Sequence, residues 1–239
     1  MSLSKLTIVI PTFYPGKIIK KCLGSLPTVS EIIIIDNGVD PELEQIIKLQ
    51  KHKIKHYKVG DIGLSKSFNI ALAKSKNENI LITQPDVYFE KNSIINLVNA
   101  QKKYTKVGII SPLLFEKKKY SQYDYLDLSL SKLGILENKR RPKKINIFPS
   151  GDICVEAVNA TAMLIKKSII RKINGWDENI YTYHEDIDLC LRLRKKGYSI
   201  MKIKNSIAHH VGFGSNKKKN REKMDKSRNW HYCWSSLYF

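Results

Sequence analysis

Hydrophobic residues form three short continuous runs in the first third of the chain, at residues 6–10, 32–35 and 80–82. A continuous run, unlike an alternating one, is typical of a strand that is buried on both faces of a parallel sheet. Helical spacing of apolar residues occurs between these runs, in the segments 17–26, 41–51 and 64–76. The pattern therefore predicts an α/β fold that begins β-α-β-α-β, with helices on both faces of a mostly parallel central sheet.

The rest of the chain is less regular but continues as one domain rather than two small ones. Asn92 is a predicted helix cap. The later elements that the pattern predicts are a helix over 92–104, a strand over 107–111, a long excursion over 116–149 with a short helix near 125–133, a strand over 155–165 interrupted at 159–161, a helix over 166–173, a strand over 199–203 and a turn-rich stretch over 208–215.

Charge narrows the class of partner. The 239 residues include 42 Lys and Arg against 22 Asp and Glu, for a formal net charge of +20. Such an excess implies an anionic partner, which is nucleic acid, acidic lipid headgroups or a phosphorylated substrate. The dense basic clusters at 139–144 and 217–223 fit phosphate-bearing or membrane surfaces better than base readout, because no helix-turn-helix, zinc-finger or RNA-recognition sequence accompanies them. We therefore expect no nucleic-acid partner.

Cysteine usage and hydropathy both indicate a cytoplasmic protein. The four cysteines are scattered without a Cys-x-x-Cys pair, which favours reduced thiols. The sequence has no run of about 18 apolar residues, and its first residues do not form the pattern of a secretory leader. The last residues, 216–239, are basic and then aromatic, and we expect them to associate with an anionic membrane surface.

An acidic motif stands out against this positive background. Asp177 and Glu178 are followed within a dozen residues by Glu185, Asp186 and Asp188, and aromatic residues are interleaved with them. Capping of a helix that begins near residue 185 accounts for two of these carboxylates, because anions are favoured at helix N-termini. Capping does not account for all five carboxylates, so the motif predicts a functional site.

Polar residues also follow each of the three predicted strands. They are Thr12 after the first, Asp36 and Asn37 after the second, and Gln84 and Asp86 after the third. The polar residues after any one strand could simply form a turn. The carboxyl ends of parallel strands, however, meet at one edge of a sheet, where ligands of open α/β sheets bind.

The order of these segments resembles the large family 2 of inverting glycosyltransferases, which have the GT-A fold, and within it the rhamnosyltransferase-like enzymes of bacterial polysaccharide synthesis. The resemblance covers most of the chain. It is carried by TIVIPT (7–12), IIIDNG (33–38), GLSKSFN (63–69), QPDV (84–87), GWDE (175–178), EDID (185–188) and His210 with Ser215 after it. It implies a domain over 1–215, with a donor-binding half over 1–105 and an acceptor-binding and catalytic half over 106–215.

The resemblance implies transfer of a sugar, with rhamnose as a candidate, from a dTDP-sugar or UDP-sugar to a saccharide or lipid-linked saccharide. Asp36 would accept a hydrogen bond from the imide N–H of the base, which thymine and uracil share. Asn69 resembles the family asparagine near the donor, and the alternative for Asn69 is a mid-helix surface amide. The residues implied to bind the donor are Pro11, Thr12, Asp36, Asn37, Asn69, Gln84 and Asp86.

A divalent metal, Mg²⁺ or Mn²⁺, is also implied, with Asp86 as its carboxylate ligand. The family often has Asp-x-Asp at this point, whereas Gln84 replaces the first acid here. One direct carboxylate is workable, because such ions keep several waters and take other ligands from the diphosphate. His210 would add an imidazole ligand; His209 is its competitor, and a purely structural role is the alternative.

For catalysis, the resemblance implies that Asp186 is the base that takes a proton from the acceptor hydroxyl. Trp176, Asp177 and Glu185 would bind the acceptor, with core packing as the alternative for Trp176. Asp188 is predicted to pair with Arg192, four residues on. We expect Asp36, Asp86 and Asp186 to gather around one ligand.

Two other functions remain in view. A basic nucleic-acid-binding α/β protein would leave the acidic motif without a purpose. A sugar-nucleotide nucleotidyltransferase would share the fold but usually needs a glycine-rich basic loop near the first strand, for which residues 12–16 are a poor candidate. We therefore expect a glycosyltransferase at the inner face of the cell membrane.

Overall fold

A computed structural model describes residues 3–116, 119–120 and 148–212. The predicted short helix at 125–133, the basic clusters at 139–144 and 217–223, and the segment 216–239 lie outside these residues. No helix among the described residues is long and apolar enough to cross a membrane.

The described strands form one ten-stranded sheet with the order β3-β2-β1-β4-β9-β6-β10-β5, to which β7 adds beside β6 and β8 beside β10. Their bounds are β1 (Leu6–Thr12), β2 (Glu31–Asp36), β3 (Ile54–Lys58), β4 (Asn79–Thr83), β5 (Val87–Phe89), β6 (Val107–Glu116), β7 (Lys119–Tyr120), β8 (Ile153–Val155), β9 (Ala162–Lys166) and β10 (Ser199–His210).

Helices cover both faces of this sheet. Their bounds are α1 (Ile19–Ser25), α2 (Pro41–Lys48), α3 (Leu64–Lys74), α4 (Ser93–Lys103), α5 (Lys167–Arg171) and α6 (Glu185–Lys195), with short 3-10 helices at Leu3–Lys5 and Gly16–Ile18.

Six strands run in one direction: β1, β2, β3, β4, β6 and β10. Successive residues of β1 and β2 alternate between two separate hydrophobic clusters, with Ile8 and Ile32 in one and Val9 and Ile33 in the other. Because both faces of these strands are buried, their apolar runs are continuous rather than alternating. The predicted α/β fold with a mostly parallel sheet and helices on both faces is confirmed.

Several local predictions were wrong. Strands β3 and β5 were not predicted, and residues 208–210 belong to β10 rather than to a turn. The pairing of β10 with β6 is irregular between Ile203 and Ile207 but continues as far as His210 opposite Glu116. That irregularity breaks the sequence pattern while the strand itself goes on.

The other differences concern element bounds. Of the predicted strand over 155–165, residue 155 ends β8, residues 156–161 are not in a strand, and residues 162–165 belong to β9; the predicted helix over 166–173 is the shorter α5. Asn92 precedes α4 in a left-handed conformation and makes no side-chain capping bond. Its backbone therefore supplies the turn, and the predicted side-chain cap is absent.

Candidate active site

A cleft of about 230 Å³ opens where the parallel strands end. Its walls come from the ends of β1, β2 and β4, from the loop before α3 and from the segment before α6. The lining residues are Pro11, Thr12, Phe13, Asn37, Asp61, Gly63, Leu64, Gln84, Pro85, Asp86, Tyr181, Thr182 and Tyr183.

The strand ends meet at this cleft as predicted. Thr12 pairs with Asp36 in register, and the Asn37 backbone N–H donates to the Thr12 carbonyl at 2.9 Å. The Asn37 side-chain oxygen accepts a hydrogen bond from Ser67 Oγ at 2.9 Å, which orients its amide. The Gln84 N–H donates to the Thr161 carbonyl at 3.2 Å, which ties this strand end to the chain before β9.

Asp36 does not line the cleft. Its carboxylate is fully buried and accepts hydrogen bonds from the backbone N–H groups of Gly38 and Asp40, both at 3.0 Å. His56 Nε2 lies 3.1 Å from the same carboxylate. The predicted contact between Asp36 and a base is therefore contradicted, because the structure uses Asp36 to shape the loop that presents Asn37.

Asp86 and His210 lie side by side at the cleft. His210 Nε2 is 3.3 Å from Asp86 Oδ2, and His210 Nδ1 is 3.2 Å from Glu116 Oε1. Burial of the imidazole acts to lower the pKa of His210, but hydrogen bonds and charge from Asp86 and Glu116 outweigh it and raise that pKa. The extension of β10 to residue 210 is what places this imidazole beside Asp86.

His209 points to the other face of β10, because side chains alternate along a strand. Its ring stacks on Tyr88 with centroids 4.7 Å apart, and its Nε2 lies 2.8 Å from Glu90 Oε1. Of the two neighbouring histidines, His210 is therefore the one whose position suits a ligand at the cleft.

The Asp86 and His210 pair fits a divalent cation that takes its other ligands from a bound diphosphate and water. The described residues contain no group of three or more His, Cys, Asp or Glu placed to hold an ion. One carboxylate and one imidazole are still suitable, because Mg²⁺ and Mn²⁺ retain waters and accept phosphate oxygens.

Asp186 lies at the start of α6 and is partly exposed. Its Oδ2 accepts a hydrogen bond from the Ala160 N–H at 3.1 Å, and its Oδ1 accepts one from the Ile187 N–H at 2.8 Å. Since Thr161, the next residue after Ala160, is bonded to Gln84, Asp186 is connected through two hydrogen bonds to the strand end that carries Asp86. Asp186 thus combines a fixed orientation with access to solvent, but it is not one of the residues that line the cleft. Of the three carboxylates that were expected to gather around one ligand, Asp36, Asp86 and Asp186, only Asp86 lines the cleft.

Glu185 is buried, and its Oε2 has no hydrogen-bond partner among the described residues. Burial, reinforced by the neighbouring Asp186 carboxylate, raises the pKa of Glu185 well above its ordinary value. A contact between Glu185 and an exposed acceptor is therefore contradicted. The predicted pair between Asp188 and Arg192 is confirmed, with Arg192 Nη2 2.6 Å from Asp188 Oδ2.

Three other predicted residues also lie away from the cleft. Trp176 is 2% exposed and packs on Phe68 with ring centroids 5.0 Å apart, so it is a core residue and cannot stack on an acceptor sugar. Asp177 accepts hydrogen bonds from the backbone and side chain of Asn179. Asn69 bonds to the backbone of Trp176 rather than lining the donor cleft.

The segment 181–183 lines the cleft, although the sequence pattern predicts no role for it. The Tyr181 carbonyl accepts from the Leu64 N–H at 2.7 Å, and the Tyr181 hydroxyl donates to Asp61. Tyr183 and His184 both have positive φ, at 64° and 69°. Two consecutive left-handed residues other than glycine are a strained turn of the kind found at functional sites.

A sheet of mostly parallel strands with a cleft at their carboxyl ends defines an open α/β fold of the class that binds ligands at this edge. Comparison with known sequences makes this specific. The sequence profile described as "Glycosyl transferase family 2" matches residues 7–173, and the chain belongs to this family.

Curated relatives are similar at low identity. The chain is 27% identical over 235 residues to "Rhamnosyltransferase WbbL" of Escherichia coli, covering 89% of this chain and 84% of that protein. It is 22% identical over 234 residues to "N-acetylglucosaminyl-diphospho-decaprenol L-rhamnosyltransferase" of Mycobacterium tuberculosis, covering 86% and 76%.

The chain is also 25% identical over 210 residues to "Low-salt glycan biosynthesis hexosyltransferase Agl10" of Haloferax volcanii. That match covers 83% of this chain but 64% of the relative, so the chain spans under two thirds of the relative's length.

Among solved structures, GalNAc-T7 with UDP, GalNAc and Mn²⁺ has a TM-score of 0.67 at 15% identity, covering 88% of this chain and 44% of that one. This similarity confirms the GT-A fold.

Proposed function

We propose that this chain is an inverting, divalent-metal-assisted glycosyltransferase that takes a sugar, with rhamnose the candidate, from a dTDP-sugar or UDP-sugar. The observation that carries the proposal is the Asp86 and His210 pair, 3.3 Å apart, at a cleft formed by the ends of parallel strands. Open α/β sheets bind nucleotides at this edge.

The donor-binding residues of the proposal are Pro11, Thr12, Asn37, Gln84 and Asp86, all of which line the cleft. Asn37 replaces Asp36 as the group that recognises the base, because its amide has both donors and an acceptor while Asp36 is buried behind it. Asp86 and His210 would hold Mg²⁺ or Mn²⁺, which neutralises the charge that develops on the leaving diphosphate.

Asp186 is the proposed general base. The acceptor oxygen attacks the anomeric carbon from the face opposite the diphosphate, the bond from that carbon to the diphosphate oxygen breaks, and the acceptor proton passes to the Asp186 carboxylate. The two N–H groups that bond Asp186 hold its carboxylate in a fixed orientation, which a general base needs.

We propose a saccharide or lipid-linked saccharide as the acceptor, at the inner face of the cell membrane. The name of one rhamnosyltransferase relative includes a diphospho-decaprenol carrier, which supports a lipid-linked saccharide as the acceptor. A net charge of +20 favours an anionic lipid surface. In this proposal residues 1–105 bind the donor and residues 106–215 bind the acceptor.

A thermal-shift screen tests the proposal. UDP, dTDP and GDP are added to the full chain with and without MnCl₂, and a ligand that binds the folded state raises Tm according to its concentration relative to Kd. We expect a shift with UDP or dTDP that requires Mn²⁺ and is lost in Asp86→Ala. Equal shifts with and without metal in the parent chain would overturn the metal site, and no shift with any nucleotide would overturn the donor class.

A further inference from the structure

We propose that Asn69 and Arg192 are positioning residues that fix the helix carrying Asp186 relative to the donor cleft. The inference rests on the proposed function for the role of Asp186, but its geometry is independent of that role. Neither side chain lines the cleft. Both form hydrogen bonds with the segment 173–178, which precedes α6 in the sequence and contacts both α3 and α6 in space.

Asn69 acts on this segment from α3. Its Oδ1 accepts from the Trp176 N–H at 2.9 Å, and its Nδ2 donates to the Trp176 carbonyl at 2.9 Å and to Glu178 Oε1 at 3.0 Å. One amide thereby satisfies both backbone groups of Trp176, as a neighbouring strand would. Gly175 makes room for this contact, because its φ is +74° and a Cβ there would lie 2.5 Å from Asn69 Oδ1.

Arg192 acts on the same segment from α6. Its Nη1 donates to the carbonyls of Ile173 and Gly175, both at 2.7 Å. Its Nε and Nη2 bind Asp188 Oδ2 at 2.8 and 2.6 Å. Asp188 is 1% exposed and lies two residues after Asp186, so the guanidinium connects the segment to the first turn of α6.

The start of α3 belongs to the cleft. Gly63 and Leu64 line it, and the Leu64 N–H donates to the Tyr181 carbonyl. The chain of contacts therefore runs from the cleft along α3 to Asn69, through the segment 173–178 to Arg192, and into α6. Two helices that carry opposite sides of the proposed reaction are joined by side-chain bonds to one short segment.

The test replaces Asn69 by its isostere. Asn69→Asp keeps an acceptor for the Trp176 N–H but places a carboxylate against the Trp176 carbonyl and Glu178. We expect kcat for sugar transfer to fall about 10- to 100-fold, the scale of a misplacement of about 1 Å, while donor KM and nucleotide Kd stay nearly unchanged. Arg192→Lys, which keeps the charge but loses the planar fork, should show the same division between kcat and KM.

Asn96→Asp is the matched control, because Asn96 lies within α4 and donates to the backbone carbonyl of Asn205 away from the cleft. It should leave kcat unchanged. In the double variant Asn69→Asp/Glu178→Gln, the new amide at 178 can donate to the carboxylate at 69, and part of kcat should return. Equal kcat losses in the Asn96 and Asn69 variants, or a loss confined to donor KM, would overturn the proposal.

Amide hydrogen exchange separates this inference from the proposed function. In Asn69→Asp without substrate, we expect faster exchange in residues 173–178 and also in the first turns of α6. Faster exchange confined to α3 and 173–178 would overturn the positioning role. A parent chain that transfers no sugar, combined with faster exchange in α6, would overturn the proposed function and leave the positioning role standing.

Discussion

Single carboxylates in this molecule have very different environments although they are close in sequence. Glu185 is buried with one oxygen that has no hydrogen-bond partner in the part of the chain that the structure describes. Asp186 is partly exposed and bonded by two N–H groups, and Asp188 is buried against Arg192. Of these three, only Asp186 is partly exposed and held by two backbone N–H groups. The environment, rather than the residue type, selects the proposed base.

Asp186→Asn tests that selection. The amide keeps the shape of the side chain but accepts no proton, so turnover should fall at least about a hundredfold while donor binding stays nearly intact. Steady-state transfer kinetics and nucleotide titration measure the two effects. Asp152→Asn is the control, because Asp152 also accepts a backbone N–H but accepts it from Lys204 of β10, away from the start of α6. Near-normal turnover in Asp186→Asn would remove it from the role.

Glu31 is a carboxylate whose role is stability. It is buried at the start of β2 and accepts hydrogen bonds from Lys55 Nζ, Thr7 Oγ1 and the Lys76 N–H at 2.6, 2.7 and 2.9 Å. Burial acts to raise the pKa of Glu31, but these bonds outweigh it and lower that pKa. Its stabilisation is therefore present above the unfolded pKa of about 4.3 and is lost as pH falls through the folded value.

We expect Glu31→Gln to lower the free energy of unfolding at pH 7 by about 1–3 kcal/mol, because charged acceptors of the network are lost. The difference from the parent should shrink as pH falls below about 4.3. Denaturant unfolding at several pH values measures it. Glu44→Gln, at an exposed ion pair with Lys58, should change stability little. A difference that grows on acidification would contradict the assigned pKa direction.

At the scale of elements, the loop before α3 and the segment before α6 form one wall of the cleft. Gly63 has φ +85°, and a Cβ there would lie 2.4 Å from the Tyr181 carbonyl oxygen. Gly60 has φ +72° but nothing within 4 Å of its would-be Cβ. Both glycines have positive φ, and they differ in the packing around them.

Substitution by alanine at each position separates the effect of the backbone conformation from the effect of the packing. Gly60→Ala should show only the strain of a left-handed residue, about 1 kcal/mol of unfolding free energy. Gly63→Ala should cost more and should also weaken nucleotide binding, because the Leu64 and Tyr181 backbones must move apart. Denaturant unfolding and nucleotide titration check both variants. Equal effects on stability and binding would mean that this wall does not shape the donor site.

Elements with a strong local pattern could be predicted from the sequence, and the contacts between distant segments could not. The apolar runs of β1, β2 and β4 are continuous because both faces of these strands are buried. β3 alternates weakly and is half-buried at the sheet edge, and β5 has three residues, so neither has a distinctive pattern. Gly212 and Gly214 suggested a turn at 208–210, but strand pairing with β6 determines that segment.

The sequence predicts the position of the candidate site at the strand ends, but it does not predict which of the neighbouring side chains are buried. Pro11, Thr12, Asn37, Gln84 and Asp86 reach the cleft as the order of parallel strands requires. Asp36, Trp176 and Glu185 are buried, and burial of a single side chain depends on neighbours that periodicity does not identify. The bonds between Asn69 and Trp176 join residues 107 positions apart, which no local pattern contains.

At the scale of the whole molecule, the net charge of +20 will attract any polyanion, so binding to nucleic acid alone says little about function. Exposed charges are screened beyond about 10 Å at 0.1 M salt, whereas a partly buried metal and diphosphate contact is screened much less. Affinity for single-stranded DNA should therefore fall about a thousandfold or more between about 50 and 200 mM NaCl. Mn²⁺-dependent nucleotide binding should change far less.

Parallel titrations of fluorescent oligonucleotide and of UDP or dTDP with MnCl₂, across that range of salt, distinguish the two behaviours. Asp86→Ala serves as the control, because it removes a cleft carboxylate and leaves the basic surface in place. It should abolish the salt-resistant nucleotide binding and leave the DNA curve unchanged. The opposite result is DNA binding that persists at 200 mM NaCl together with nucleotide binding that is lost. That result would favour the nucleic-acid-binding alternative over a glycosyltransferase, because the specific contact would then lie on the surface rather than in the cleft.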